Sequence, residues 1–175
     1  MSSIQNTEEL PLPTISDEEL QRMVSQIGEE GKPLYVATGM SEDQIEALYS
    51  VAYNLYNAGK LEDALKIFVS LCMFSHLDMR FWRGLGATAQ ALKNYEYALQ
   101  AYAYAAVLDP ADPRAIYHTM ECQLALKNYP QALAAAEYLD EITAGKPEFA
   151  EMEAKAKLVA DAIRTNIASQ ATANA

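Results

Sequence analysis

The sequence predicts an all-α protein in which helix pairs stack into a solenoid, with one further helix at each end. Three observations support this fold class. The chain of 175 residues repeats a pattern of small and bulky apolar residues three times, at a constant spacing of 34 positions. Two Ser-x-x-Glu/Gln sequences, which are typical of helix starts, precede helical apolar patterns. The apolar fraction of 51% is that of a folded chain, not of a disordered one.

The repeated positions separate into small and bulky columns. They are Ala64/Ala98/Ala132, Leu65/Leu99/Leu133, Leu61/Tyr95/Tyr129 and Leu48/Trp82/Ile116. The alanines let the second helix of each pair cross the first closely, and the bulky column at 48, 82 and 116 fills the space between them. A period of 34 residues is that of the tetratricopeptide repeat, a helix–turn–helix unit. We therefore predict three such repeats, of which the second matches the motif best and the third, at Thr119 and Met120, departs from it.

Capping and turn residues divide the chain into elements. Ser16 with Glu19 and Ser41 with Gln44 form capping boxes that begin an N-terminal helix and the first repeat helix. The helix pairs are predicted at about 41–57/61–73, 77–92/95–108 and 113–126/129–143. Pro147 suits the first turn of a final helix that ends near residue 168 and covers the open end of the solenoid.

Three regions follow from these elements. Residues 1–40 form an N-terminal arm and helix, residues 41–144 the three repeats, and residues 145–175 a capping helix with a tail. Residues 1–14, which contain two prolines, and the SQATANA tail have no apolar periodicity and are expected to be disordered.

Charge and hydropathy exclude several classes of function. With 13 basic residues against 24 acidic ones, the net charge is −11, and nucleic acid is not expected as a partner. No apolar run is long enough to cross a membrane, and no direct membrane binding is expected. The first residues lack the basic and apolar regions of a signal peptide, so we expect a soluble cytoplasmic protein.

No catalytic or cofactor motif is present in the sequence, so we expect neither an enzyme nor a cofactor. Phosphate-binding, zinc-protease and nucleophile-elbow motifs are all missing. His76 and His118 lie in different repeats and are not expected to share a metal. Cys72 and Cys122 fall in apolar helical runs, which predicts buried thiols of low reactivity.

The first helix of each pair lines the concave face of such a solenoid, and the repeat register therefore predicts a groove. In the first repeat, three tyrosines recur at i, i+4 and i+7, while Leu48, Val51, Ala52 and Leu55 are assigned to the interior. The predicted groove residues are Tyr49, Tyr53, Tyr56, Arg83, Ala87, Gln90, Tyr117, His118 and Glu121, with Ala91 and Leu124 at neighbouring positions.

An aromatic groove of this kind suits an extended peptide. Tyrosine rings offer apolar faces to Pro and Leu, and their hydroxyls can bond to the peptide backbone. Burial of two or three such side chains is consistent with affinities near micromolar, about −8 kcal/mol. The alternative is that the N-terminal helix folds back and covers the tyrosines.

Several segments, which include positions outside the repeat consensus, resemble the class II chaperones of bacterial type III secretion. They are 48–53 (LYSVAY), 59–64 (GKLEDA), Leu71-Cys72, His76, Asp78, Arg80-Phe81, Gly84-Leu-Gly86, Glu121-Cys122 and Lys146-Pro-Glu-Phe149. The resemblance covers about residues 30–150. It implies a three-repeat protein that keeps hydrophobic translocator proteins soluble in the bacterial cytoplasm by binding a P-x-L-x-x-P type segment in its groove.

The resemblance also implies a homodimer when no client is bound, formed through the N-terminal helix and part of the first repeat. The candidate dimerisation residues are Leu20, Met23, Val24 and Ile27, which form one apolar stripe that packing on the chain's own solenoid would equally explain. Some members of this family also co-regulate transcription, which the sequence does not test. Arg83 departs from the family, whose groove tends to be apolar there; it is expected to pair with Glu121 or to select an acidic ligand.

Two other functions remain open at this point. A general tetratricopeptide adaptor would bind a C-terminal carboxylate through Lys and Asn on the first helices, but this chain has Tyr49 and Tyr53 at the first-repeat positions. A structural scaffold would recognise no client segment.

Overall fold

The computed structural model describes residues 16–173, and within them the chain forms nine α-helices and one 3-10 turn. The helices are α1 (Asp17–Gly28), α2 (Leu34–Ala37), α3 (Glu42–Asn57), α4 (Leu61–Phe74), α5 (Met79–Ala91), α6 (Tyr95–Leu108), α7 (Arg114–Ala125), α8 (Tyr129–Thr143) and α9 (Ala150–Ala173). From α3 to α9 each helix packs against the next one along the chain. The predicted all-α solenoid of three helix pairs, α3/α4, α5/α6 and α7/α8, is confirmed.

Local hydrogen bonds explain where the helices begin. The Ser16 hydroxyl accepts from the Glu19 amide at 3.2 Å, and the Glu19 carboxylate accepts from the Ser16 amide at 2.9 Å. Ser41 and Gln44 form the same reciprocal pair at the start of α3. Both predicted capping boxes are therefore present.

The turn inside each helix pair uses one repeated position with a left-handed backbone. Gly59, Lys93 and Lys127 stand one 34-residue period apart and have φ values of 73°, 61° and 60°. Glycine adopts this conformation without steric cost, whereas lysine is strained there. The two lysines persist because the helices packed on either side fix the turn.

Three elements differ from the sequence prediction. The short helix α2 was not predicted; its Tyr35 packs against the first part of the core. Pro147 begins a 3-10 turn, Pro147–Phe149, that leads into α9 instead of lying in its first turn. Helix α9 continues to Ala173, although disorder was expected from residue 169, because the tail contains no helix breaker and is rich in alanine. The predicted disorder of residues 1–14 lies outside the described residues.

The core follows the repeat columns. Ala64, Ala98 and Ala132 are fully buried, as expected for the positions where the helices of a pair cross. The bulky column is half-buried and packs against the core between the helices of its pair. The helices of one unit thus approach closely at alanine and are separated by larger side chains elsewhere.

Two glycines of α5 allow the closest approach of neighbouring helices. A Cβ atom on Gly86 would lie 2.6 Å from a ring carbon of Tyr102, which is fully buried on α6. A Cβ atom on Gly84 would overlap the buried ring of Phe68 on α4. Helix α5 therefore packs on the two aromatic rings through its bare backbone.

Buried and half-buried ion pairs connect the repeats at the start of their first helices. Asp112 accepts from the backbone amide of Arg114 at 3.1 Å and from its guanidinium at 2.7 Å. Arg83 of the preceding repeat binds the other carboxylate oxygen of Asp112 at 2.6 Å. One period earlier the roles are exchanged, since Arg80 bridges Asp78 of its own repeat and Glu46 of the preceding one. Burial acts to raise the pKa of Asp112, but the arginine hydrogen bonds and charges outweigh it and hold the pKa below its usual value.

Replacement of Gly86 by alanine is expected to destabilise the protein by about 1–2 kcal/mol, because the added methyl group overlaps a ring that cannot move. The matched control is Gly28→Ala at the end of α1, where an added Cβ meets nothing within 4 Å. The control is expected to be neutral or slightly stabilising. Urea unfolding of both variants measures the difference, and equal stabilities would contradict the close packing of α5 on α6.

Candidate functional site

A pocket of about 460 Å³ opens on the concave face, between α3, α5, α6 and α7. Its lining is Tyr56, Ala87, Gln90, Ala91, Tyr95, Tyr102, His118, Glu121 and Ala125. The spacing of residues 87, 90 and 91 on α5, and of 118, 121 and 125 on α7, places each set on one helix face. The structure thus brings together five of the predicted groove residues: Tyr56, Ala87, Gln90, His118 and Glu121.

A continuous chain of hydrogen bonds forms the polar side of this pocket. The Tyr102 hydroxyl donates to Gln90 Oε1 at 2.8 Å, and Gln90 Nε2 donates to Glu121 Oε2 at 3.1 Å. His118 Nδ1 lies 3.1 Å from the same carboxylate oxygen, and its ring stacks on the Tyr102 ring with centroids 5.2 Å apart. Lys155 Nζ donates to Glu121 Oε1 at 2.8 Å. The chain fixes the side chains of the pocket before any ligand enters.

Glu121 is the charged centre of the pocket. Its hydrogen bond with His118, aided by those from Lys155 and Gln90, outweighs the effect of burial and lowers the pKa of the carboxyl to about 2. Burial acts in the opposite direction on the neighbouring phenol and raises the pKa of Tyr102. Near neutral pH the pocket therefore presents a carboxylate and a neutral phenol.

The remaining bonding capacity of these groups suits a peptide backbone. A carboxylate has about four acceptor positions, of which three on Glu121 are occupied within the protein. The Gln90 amide donates one N–H to Glu121 and retains another. One free acceptor and one free donor stand between the apolar side chains of Tyr56, Ala87 and Ala91.

The other predicted groove residues lie outside this pocket. Tyr53 is 53% exposed on α3, whereas Tyr49 packs inward on Phe68 and Phe81, with ring centroids 6.2 and 5.5 Å apart. Val51, assigned to the interior, is 47% exposed. Helix α3 is thus rotated about its axis from the orientation that its apolar periodicity predicted. As a result, Tyr49 packs in the core and Tyr53 lies on the surface. Tyr117 is half-buried and contacts Lys155 of α9 through its hydroxyl.

Arg83 does not pair with Glu121, contrary to expectation. It is held by Asp112 at 2.6 Å and does not line the pocket. The sequence register places Arg83 on the correct helix but cannot show that Asp112, at the start of α7, lies nearer. Asp112 is shared by Arg83 and Arg114, and Arg83 does not line the pocket, so the structure gives no support to selection of an acidic ligand there by Arg83.

The candidate dimerisation residues form an exposed apolar stripe on α1. Leu20 is 52% exposed, Val24 62% and Ile27 39%, and Met23 is half-buried. Helix α1 contacts mainly α2 and buries none of its residues. No described residue covers Tyr53, so α1 does not fold back over the tyrosines.

Sequence reasoning missed four residues of the site. Tyr95 belongs to a repeat column of the second helix and Tyr102 was not assigned to the groove; only the crossing of α5 and α6 shows that both border the concave pocket. Ala125 extends the face of His118 and Glu121 by one turn, a spacing that was available in the sequence. Lys155 had no sequence signal, because its role depends on how α9 packs against α7.

The remaining reactive groups do not form a second centre. Burial raises the pKa of the Cys72 thiol to about 12 and that of Cys122 to about 11, which confirms the predicted buried thiols. Among residues 16–173, no group of three or more His, Cys, Asp or Glu side chains is arranged to hold a metal ion. No helix in that range is long and apolar enough to span a membrane.

Comparison with known proteins identifies close relatives. The tetratricopeptide repeat family matches residues 45–76 and 79–112. The chain is 36% identical to the low calcium response locus protein H of Yersinia pseudotuberculosis over 151 residues, which is 86% of this chain and 90% of that protein.

Solved structures agree with the sequence match. A type III secretion complex from Aeromonas hydrophila superposes with a TM-score of 0.76 at 35% identity, covering 82% of this chain and 95% of that one. The Yersinia enterocolitica type III secretion chaperone SycD, in complex with a peptide of the translocator YopD, has a TM-score of 0.69 at 40% identity, covering 72% and 96%. SycD has also been crystallised as an alternative dimer.

The low pKa of Glu121 predicts a pH-dependent contribution to stability. Because the carboxyl has a lower pKa folded than unfolded, its contribution is complete above about pH 5 and is lost as the pH falls towards 2. We expect wild type to exceed Glu121→Gln in unfolding free energy by about 2 kcal/mol at pH 7, and by less than half of that at pH 3. Urea unfolding at both pH values measures this, with the exposed Glu141→Gln as control. A difference that is constant with pH would contradict the assigned pairing.

Proposed function

This chain belongs to the class II chaperones of type III secretion, and from that membership we propose that it binds the hydrophobic translocator proteins of such a system. It holds them through an extended P-x-L-x-x-P type segment in the concave groove and keeps them ready for secretion. The proposed place of action is the bacterial cytoplasm, before export. The family consists of chaperones, and we propose no enzymatic activity for this member.

The observation that supports the groove is the construction of the concave pocket. Tyr56, Ala87 and Ala91 offer apolar surface for Pro and Leu side chains, while Gln90 and Glu121 retain one donor and one acceptor for the backbone between them. An extended proline-containing segment loses little conformational entropy when it binds such a preformed site.

The charge of the pocket distinguishes this function from that of a carboxylate-binding adaptor. The carboxylate of Glu121 is paired with Lys155, and Arg83 is paired with Asp112. A ligand with a terminal carboxylate would meet no unpaired cation among the residues that line the pocket, and would instead approach Glu121. The pocket therefore favours an internal, uncharged segment of a client.

Filling the pocket tests this function directly. Ala91 is exposed and lines the pocket, so Ala91→Trp is expected to occupy the space without disturbing the core. Fluorescence titration with the peptide Pro-Ala-Leu-Ala-Ala-Pro is expected to give micromolar binding to wild type and at least a tenfold loss with Ala91→Trp. The matched control, Ala103→Trp on the exposed surface of α6, is expected to bind as wild type.

Peptide controls show whether the expected side chains are recognised. Replacement of Leu or of either Pro by Ala is expected to weaken binding, because each removes apolar surface buried in the pocket. The peptide affinity of the variant Tyr53→Ala tests whether the groove continues along α3. Equal binding by Ala91→Trp and wild type would refute the pocket as the client site.

We also propose that the client-free protein dimerises through α1. The exposed stripe of Leu20, Val24 and Ile27, with Met23 beside it, is unpartnered among the described residues and is the kind of surface that an identical helix can cover. The crystallised dimer of SycD shows that a 40% identical relative self-associates.

A charge within the stripe is expected to separate the protomers. Val24→Glu buries a carboxylate in any interface formed by α1, and sedimentation velocity is expected to show a monomer at concentrations where wild type is dimeric. Gln21→Glu, exposed on the same helix but outside the stripe, introduces the same charge and is expected to remain dimeric. A dimer that persists in Val24→Glu would place the interface elsewhere.

A further inference from the structure

A second pocket of about 460 Å³ lies next to the first, where α9 meets α7 and the start of α8. It is lined mainly by Leu124, Tyr129, Leu158, Val159, Ala162 and Ile163. Leu158 is 70% exposed, although a helix that ends a solenoid normally turns a polar face outwards. An exposed leucine beside an apolar pocket indicates a surface that another group covers.

The repeat register shows that this pocket is the equivalent of the first one in the following unit. Leu124 stands 34 residues after Gln90, Tyr129 after Tyr95, and Val159 after Ala125. Leu158 continues the column of Tyr56, Gln90 and Leu124. Helix α9 thus occupies the place of the first helix of a fourth repeat, and the concave groove extends one unit further than the three repeats.

Helix α7 contributes to both pockets. Leu124 lines the second pocket and the adjacent Ala125 lines the first. The ion pair between Glu121 and Lys155, with an N···O distance of 2.8 Å, lies at the boundary and holds α9 against α7. Val159, one turn after Lys155 on α9, then faces the second pocket.

Their chemistry differs in one respect. The first pocket contains the Gln90 and Glu121 side chains, whereas no charged side chain lines the second, where leucine replaces Gln90 at the equivalent position. Apart from Asn166 and the Tyr129 hydroxyl, the second pocket is lined by apolar side chains, and it therefore suits a large apolar side chain.

We propose that the second pocket is an additional client subsite, which takes a leucine-like side chain of the translocator outside the P-x-L-x-x-P segment. This rests on the proposed function of the first pocket. Neighbouring helices pack about 8–10 Å apart and an extended chain advances about 3.3 Å per residue, so about three residues span one helix spacing and about six span two. We therefore place the anchor about three to six residues from the segment. The subsite extends recognition beyond the short segment and contributes to the choice among clients.

The test uses a series of labelled peptides. Pro-Ala-Leu-Ala-Ala-Pro is extended by seven Ser/Ala residues on either side, and a single Leu is moved through positions three to six of each extension. We expect the peptide with leucine at one of these positions to bind about tenfold more tightly than the matching all-Ser/Ala peptide. This is the affinity gain expected from burying one leucine, after the entropy cost of ordering the peptide is subtracted. Leu158→Glu and Ala162→Trp, both at exposed positions of α9, are expected to abolish this gain without weakening the binding of the short peptide.

The control is Val107→Glu, which places the same charge at an exposed apolar position of α6. This variant is expected to bind the leucine-containing peptide as tightly as wild type does. Binding of the short peptide with no gain from any leucine, or a gain that survives Leu158→Glu, overturns the subsite and leaves the proposed function intact. Failure of the short peptide to bind overturns both. A third outcome is that no leucine increases the affinity of the peptide, while sedimentation shows that Leu158→Glu changes the self-association of the protein. This outcome assigns the pocket to a second copy of the chain and also overturns the proposal.

Discussion

The contact between Gly86 and the ring of Tyr102 is the constraint on which the groove depends. Because Gly86 has no side chain, α5 approaches α6 closely enough for the ring to be fully buried and for its hydroxyl to reach Gln90 at 2.8 Å. A larger residue at position 86 would displace the ring, and with it the hydroxyl that orients Gln90. The packing of one helix pair thus determines the position of a polar group in the binding site.

From Gln90 the same hydrogen-bond chain continues to Glu121 and Lys155, so that one network joins the second repeat, the third repeat and α9. A hydrogen-bonded network in a partly buried site restrains its side chains, and a rigid groove loses less entropy when an extended segment binds. The arginine pairs around Asp112 and Asp78 connect the repeats at the starts of α7 and α5. The chain carries a net charge of −11, and the charged side chains nearest the groove form ion pairs within the protein.

Both ends of the solenoid carry exposed apolar side chains. Exposed apolar side chains, Val24 on α1 and Leu158 on α9, occur where solenoids commonly have polar capping faces. The apolar stripe of α1 is suited to a second copy of the chain, and the face of α9 to a longer client segment. A chaperone for translocator proteins must cover apolar surface, and the apolar residues at these ends add to that of the three repeats.

The sequence alone determined the local structure, because local structure depends on residues close together in the chain. The capping boxes at Ser16 and Ser41 and the buried alanines of the 34-residue period identified the helices and their pairing. The same 34-residue period also predicted about half of the residues that line the pocket.

Tertiary packing decided the rest. Whether Tyr49 or Val51 faces the core depends on the rotation of α3 against α4 and α5, which periodicity does not fix when apolar residues cover most of a helix. The partner of Arg83 and the role of Lys155 depend on distances between helices remote in sequence. Such distances are set by the side chains at each helix crossing, and they exist only once the helices are packed.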